Sequence, residues 1–201
     1  MFVLNISVMK EENLSPEESL ELIQSTILKA RKQFADNSFY FLLWGAIVSF
    51  ASLTHYYLEM HTSYEKPWIA WTLTFVGALI SAIKGYRDGK RQTAKRTTDL
   101  PYAWLWASLG ISMFIVAFNQ EVINHQVVPI ILLMAGIGTA TTGAMMRFWP
   151  LQAGAGFFWV MAIVAFQQEL DSQMLIMAIS VAIGYLVPGF IMRRNFKRNV
   201  L

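Results

Sequence analysis

The sequence predicts an all-α membrane protein: a bundle of six transmembrane helices preceded by a cytoplasmic amphipathic helix. Three observations carry this. Six apolar stretches fall at about 39–58, 68–86, 101–119, 127–146, 150–167 and 173–192, each near the roughly 20 residues a helix needs to cross the hydrocarbon core. Fifteen of the sixteen Lys and Arg residues lie in alternate gaps between those stretches, Lys66 being the exception. The chain is 55% hydrophobic and 14% charged, with a mean hydropathy of +0.42, too little charge to cover a soluble domain of this length.

The first element is a cytoplasmic helix expected over 16–35. Ser15 suits an N-cap, Pro16 the first helical position, and Glu18 completes S-x-x-E. Glu17, Glu18 and Glu21 load the first turn and Lys29, Arg31 and Lys32 the last, complementing the macrodipole. Leu20, Ile23, Ile27, Ala30 and Phe34 form an apolar stripe with alternating three- and four-residue spacing. Leu20, Ile23, Ile27 and Phe34 are therefore a candidate partner or membrane face. Two readings stay open: the stripe lies on the membrane or the bundle's inner face, or it pairs with another chain. Residues 1–37 thus form a cytoplasmic segment and 38–198 the membrane domain. Met9 reads as the more natural start, which would make residues 1–8 dispensable.

The spans follow in order. Pro67, Pro101 and Pro150 each sit near the start of one, where a missing N–H costs little. Trp68, Trp71, Trp104, Trp106 and Trp149 fall near the expected interfaces, as an aromatic belt requires. The positive-inside rule puts both termini in the cytoplasm. Glu59, Glu65, Glu121, Glu169 and Asp171 then lie outside. The basic residues sit at helix ends beside anionic headgroups, so the +3 charge points to the lipid bilayer and not to nucleic acid. In span 6, Pro188 leaves the Gly184 carbonyl without its i+4 donor, a candidate kink.

The spans also look related. Ile115–Glu121 and Ile163–Glu169 match at six of seven positions, and Leu43-Trp44 precedes Glu59 as Leu105-Trp106 precedes Glu121. Gly143–Arg147 and Gly189–Arg193 both read Gly-x-x-Met-Arg. Three tandem parallel hairpins are expected, at about 38–96, 100–147 and 150–198, with the even spans as inner packing elements. Span 4 should be central, because Gly136/Ala140 and Thr139/Gly143 are small-xxx-small pairs.

Chemistry-bearing constellations are sparse. There is no cysteine, so no thiolate metal site or thiol nucleophile. No charge sits at mid-depth in any span, which argues against an acidic proton relay. Ser112, Thr139, Thr141, Thr142 and Ser180 are candidate path-lining residues, although such hydroxyls also bond to carbonyls one turn back. His55, His61 and His125 cluster on the outer side with carboxylates, yet without metal-site spacing. No nucleotide loop, H-E-x-x-H or G-x-S-x-G occurs. Neither catalysis, a metal nor a cofactor is expected.

The segment SPEESLELIQSTILKARKQFADNSFYFLLWGAIV resembles the front of small bacterial six-span inner-membrane proteins of uncharacterised function. In these a cytoplasmic helix runs into a first span containing Leu-Trp-Gly. The resemblance covers roughly the first 60 residues and implies an inner-membrane location and no catalytic residue. The expected function is that of a non-enzymatic sensor, regulator or accessory subunit. It would contact a protein partner, a second copy or lipid through the cytoplasmic helix and the basic 2–3 loop. The alternative is a small-molecule transporter or channel with a Ser/Thr-lined path.

Overall fold

The structure, a computed structural model, describes residues 15–91 and 99–198; for 16–19, 21–37, 91, 99 and 196–198 it describes the backbone alone. The described residues are all-helical, with no strand among them. The order is α1 (Pro16–His61), a 3₁₀ turn (Pro67–Thr72), α2 (Leu73–Arg91), α3 (Asp99–Phe118), α4 (Val127–Met145), α5 (Trp149–Ala165), α6 (Leu170–Val181), a π-helical segment (Ala182–Leu186) and α7 (Val187–Arg198).

Five helical stretches are long and apolar enough to cross a membrane: Ser38–His61, Pro67–Lys90, Leu100–Phe118, Val127–Met145 and Leu170–Asn195. The stretch expected as span 5 forms the shorter apolar helix α5, of 17 residues.

α1 differs from expectation in one respect. The cytoplasmic helix and the first span are a single helix of 46 residues. Between 35 and 39 the sequence reads Ala-Asp-Asn-Ser-Phe, with no Gly or Pro. Asp, Asn and Ser there are weak helix formers but not breakers, so the helix runs through. The basic loop between α2 and α3 includes Lys95 and Arg96, which lie outside the described residues.

Packing is uneven. α1, α4, α5 and the α6–α7 span form the centre, with α4 and α5 the most extensive pair. Half of the α4 window and half of the α6–α7 window are buried, against 11% for α2 and 6% for α3. The even spans are therefore not all inner elements. α2 is peripheral: Gly77 and Ser81 face α1, while Val76, Leu79, Ile80 and Ile83 are exposed.

The two outlying helices are held alike. The Trp44 indole N–H donates to Ser81 Oγ at 3.2 Å, and a Cβ on Gly77 would press on Ile47 and Trp44. The Trp106 indole N–H donates to Thr142 Oγ1 at 3.2 Å, and a Cβ on Gly138 would press on Leu109 and Trp106. In each pair a Trp ring lies in contact range of a Gly and its indole N–H reaches a hydroxyl four residues beyond it. In lipid such packing and interhelical hydrogen bonds replace the hydrophobic driving force. Trp106 thus turns inward and leaves the expected interfacial belt, whereas Trp68, Trp104 and Trp149 are exposed.

α1 is tied to the last span by two side chain to backbone bonds: Ser49 Oγ donates to the Ala178 carbonyl (3.2 Å) and Ser52 Oγ to the Met174 carbonyl (2.7 Å). An aromatic cluster closes the centre, with Phe158, Phe41 and Trp106 around Tyr185 at centroid distances of 4.9, 5.4 and 6.3 Å. Tyr185 lies in the π-helical segment. That segment has a cause in the sequence. Pro188 has no N–H for the Gly184 carbonyl, and the helix widens just before it. The buried Gly184 carbonyl packs against α5, so that a Cβ on Gly154 would lie 2.8 Å from Gly184 O.

The α4–α5 turn carries Arg147 at φ 50°. Phe148 N–H bonds to the Gly143 carbonyl at 2.9 Å and Arg147 N–H to the Ala144 carbonyl at 3.1 Å. This is a helix C-terminal motif with an Arg where glycine is usual.

Candidate functional site

The five candidate path-lining hydroxyls do not converge. Thr139, Thr142 and Ser180 are buried, Ser112 is half-buried and Thr141 is exposed on the outer face of α4. Each donates to a carbonyl of its own helix four residues back: Ser112 to Ser108, Thr139 to Ala135, Thr141 to Ile137, Thr142 to Gly138 and Ser180 to Ile176, at 2.6–2.9 Å. A hydroxyl so engaged satisfies itself locally. Thr142 also accepts from Trp106 and so serves helix packing. Among the described residues, an open surface depression lies along α3, lined by Gly110, Ile111, Phe114, Ile115, Phe118 and Asn119. No member of the hydroxyl set borders it.

The candidate partner face lies on the N-terminal part of α1. Leu20 is 59% exposed. Ile23, Ile27 and Phe34 lie on the same helix, in the stretch where the backbone alone is described.

At the end of the bundle where α1 finishes, three elements bring polar groups together. His55 and Glu59 stand one turn apart on α1, so they share a face. The 3₁₀ turn packs against α1 and carries Trp71. Its indole N–H donates to His55 Nδ1 at 2.8 Å, the rings meeting edge-on with centroids 6.4 Å apart. On the other side of the ring, His55 Nε2 lies 3.3 Å from Glu59 Oε2. Asp171, in the first turn of α6, acts on His55 electrostatically. The His55 side chain is only 12% exposed and that of Glu59 29%. Glu59 Oε2 is itself buried, and the approach from His55 is not a well-aligned hydrogen bond. Trp71 is thus the second Trp that leaves the expected belt, here to bind a histidine.

Around this cluster the other polar groups at the same end make looser contacts. Glu121 and His125 form an i,i+4 pair at 3.6 Å, with the histidine backbone at φ 59°. The Tyr57 and His61 rings stack at 5.2 Å. Gln173, fully buried, donates through Nε2 to the Gln168 carbonyl (2.9 Å) and to Gln126 Oε1 (3.3 Å). Among the described residues no three His, Cys, Asp or Glu side chains converge as a metal site.

The opposite end is basic. Lys84 pairs with Asp88 and lies over the rings of Phe39 (5.3 Å) and Tyr40 (5.8 Å), an arrangement that shelters an ammonium at the membrane edge. Lys90 covers Tyr86 at 4.7 Å. Arg87, Arg147, Arg193 and Arg194 are exposed.

Compared with known proteins, the chain matches no family model, no curated protein and no solved structure. Sequence reasoning noted His55 and Glu59 singly but missed their joining by Trp71. The His-x-x-x-Glu spacing was the visible signal for half of that contact.

Proposed function

We propose that this chain is a non-enzymatic six-span protein of a bacterial inner membrane, with both termini in the cytoplasm. It acts as a sensor, regulator or accessory subunit that engages a protein partner through the cytoplasmic part of α1. The observation that carries this reading is the continuity of α1. From Pro16 to Asn37 it extends 22 residues beyond the span that begins at Ser38, about 33 Å at 1.5 Å per residue. A helix that continues the span leads its apolar stripe away from the bilayer, not along it. Leu20, 59% exposed, then stands in water unless a protein covers it, and Ile23, Ile27, Ala30 and Phe34 follow it along the same helix. That favours a protein partner over the lipid surface for this face, while the basic rim of Arg87, Arg193 and Arg194 meets anionic headgroups.

The sixth span is α5. Its 17 residues reach about 26 Å, at the short end of the spanning range. α4 ends two residues before Arg147 and α6 begins after Glu169, so if α4 and the α6–α7 span both cross with their basic ends inward, α5 returns the chain between them. The matching Trp–hydroxyl contacts of the first two hairpins support the reading of 38–96 and 100–147 as repeats, with 150–198 the third and more divergent unit.

Co-purification tests the partner reading. Ile27→Glu places a charge in the stripe. It should remove the bound partner while the detergent-solubilised bundle keeps its unfolding midpoint. Identical partners with and without the charge would sink the reading. Because the chain has no cysteine, Ile23→Cys adds a direct test for a second copy, by disulfide trapping in membranes.

A further inference from the structure

The geometry points to a proton-operated latch at the outer end of the bundle: protonation of His55 releases Trp71, and with it the 3₁₀ turn that caps α1. The argument starts from hydrogen-bond inventory. An indole N–H is a donor only. Since Trp71 donates to His55 Nδ1, that nitrogen holds a lone pair, and the ring is the neutral tautomer with its proton on Nε2. That proton faces Glu59 Oε2. The imidazolium has N–H donors at both nitrogens. Its Nδ1–H would meet the Trp71 N–H head on, so the two rings cannot keep their contact in the charged state.

Among the described residues two carboxylates face His55: Glu59 from α1, whose Oε2 lies 3.3 Å from Nε2, and Asp171 from the first turn of α6. The 3₁₀ turn contributes Trp71 but no charge of its own. Glu59 Oε2 has no hydrogen-bond donor among those residues and is the group that would pair with the imidazolium. Proton uptake exchanges one interaction for another: the Trp71–His55 bond is lost and a full His55–Glu59 ion pair is gained.

The moving part is small and attached. Pro67–Thr72 leads directly into α2, which further along contacts α1 through Trp44 and through Lys84 over Phe39 and Tyr40. Release of Trp71 therefore loosens the outer half of the least buried hairpin and leaves the centre of the bundle intact.

The test is a spin label on Ile69→Cys, an exposed position of the 3₁₀ turn, in the full chain reconstituted in lipid. Spectra are taken from about pH 8 to about pH 5, the range in which histidine titrates. The label should pass from an immobile to a mobile component in a one-proton transition. In His55→Gln the amide offers an acceptor to Trp71 and a donor to Glu59 without titrating, and the label should stay immobile throughout. Absence of a transition in the chain that retains His55 overturns the proposal with no further variant needed. A transition that persists in His55→Gln, or in His55→Asn should the first variant fail to fold, assigns the response to a carboxylate and equally overturns it.

Discussion

Replacing Gly154 by alanine should destabilise the bundle although it adds one methyl group to a helix. The new Cβ would stand 2.8 Å from the Gly184 carbonyl oxygen and 3.5 Å from both Gly184 Cα and Pro188 Cγ. The nearest obstacle is backbone, and it belongs to the segment that Pro188 has already widened. Neither side can yield by a rotamer change, so α5 and the α6–α7 span must separate by several tenths of an ångström. Overpacking of this kind costs about 1–3 kcal/mol, roughly a 5- to 150-fold drop in the folded-to-unfolded ratio. Two neighbours calibrate the result. Gly156→Ala meets nothing within 4 Å and should be neutral or stabilising by up to about 1 kcal/mol through helix propensity. At Gly136 a Cβ collides with the Trp159 indole, but Trp159 is 41% exposed and can swing outward, so Gly136→Ala should cost less than Gly154→Ala. Equilibrium unfolding in mixed micelles, followed by circular dichroism, ranks the three. A Gly154→Ala bundle as stable as the Gly156→Ala bundle would refute the close crossing of α5 over Gly184.

Two further expectations concern polar contacts. Ser52→Ala removes an interhelical bond of 2.7 Å to the Met174 carbonyl and should cost about 0.5–1.5 kcal/mol. Ser180→Ala removes only a bond within its own helix and should change the same unfolding midpoint much less. Trp44→Phe and Trp106→Phe each delete one indole donor, to Ser81 and Thr142. Losses of similar size, adding within about 0.5 kcal/mol in the double variant, are expected on the same unfolding curves. A strongly non-additive pair would mean that the two hairpins are not held independently.

Much of the fold was legible because the bilayer simplifies the code. Apolar length and Pro at helix starts located the apolar helical stretches of the described residues to within a few residues. The small residues of Gly136–Gly143 marked α4 as a packed element before any contact was known. What failed did so for identifiable reasons. A helix over 16–35 and a separate first span from 38 are the sequence expectation, yet a helix anchored at Phe41, Ser49 and Ser52 propagates through Asp36-Asn37-Ser38. Trp71 and Trp106 looked like interfacial anchors because position along the chain does not tell which way an indole points. The hydroxyl set looked like a path because a span sequence does not distinguish Thr141, which is exposed, from Thr139 and Thr142, which are buried one turn apart on the packing face. The His55–Trp71 contact is 16 residues apart in sequence and depends on a 3₁₀ turn that hydropathy reads as ordinary span.

The continuity of α1 supports the functional reading, and one distance tests it. Spin labels at Gln24→Cys and Tyr57→Cys are separated by 33 residues on one helix, about 50 Å at 1.5 Å per residue. A narrow distribution near 50 Å in lipid nanodiscs is the predicted result. If the chain broke at Asn37 and the first segment lay along the membrane, legs of about 20 and 30 Å at a right angle would place the labels about 36 Å apart. A distribution centred there would return the apolar stripe to the lipid surface and contradict the protein-partner account.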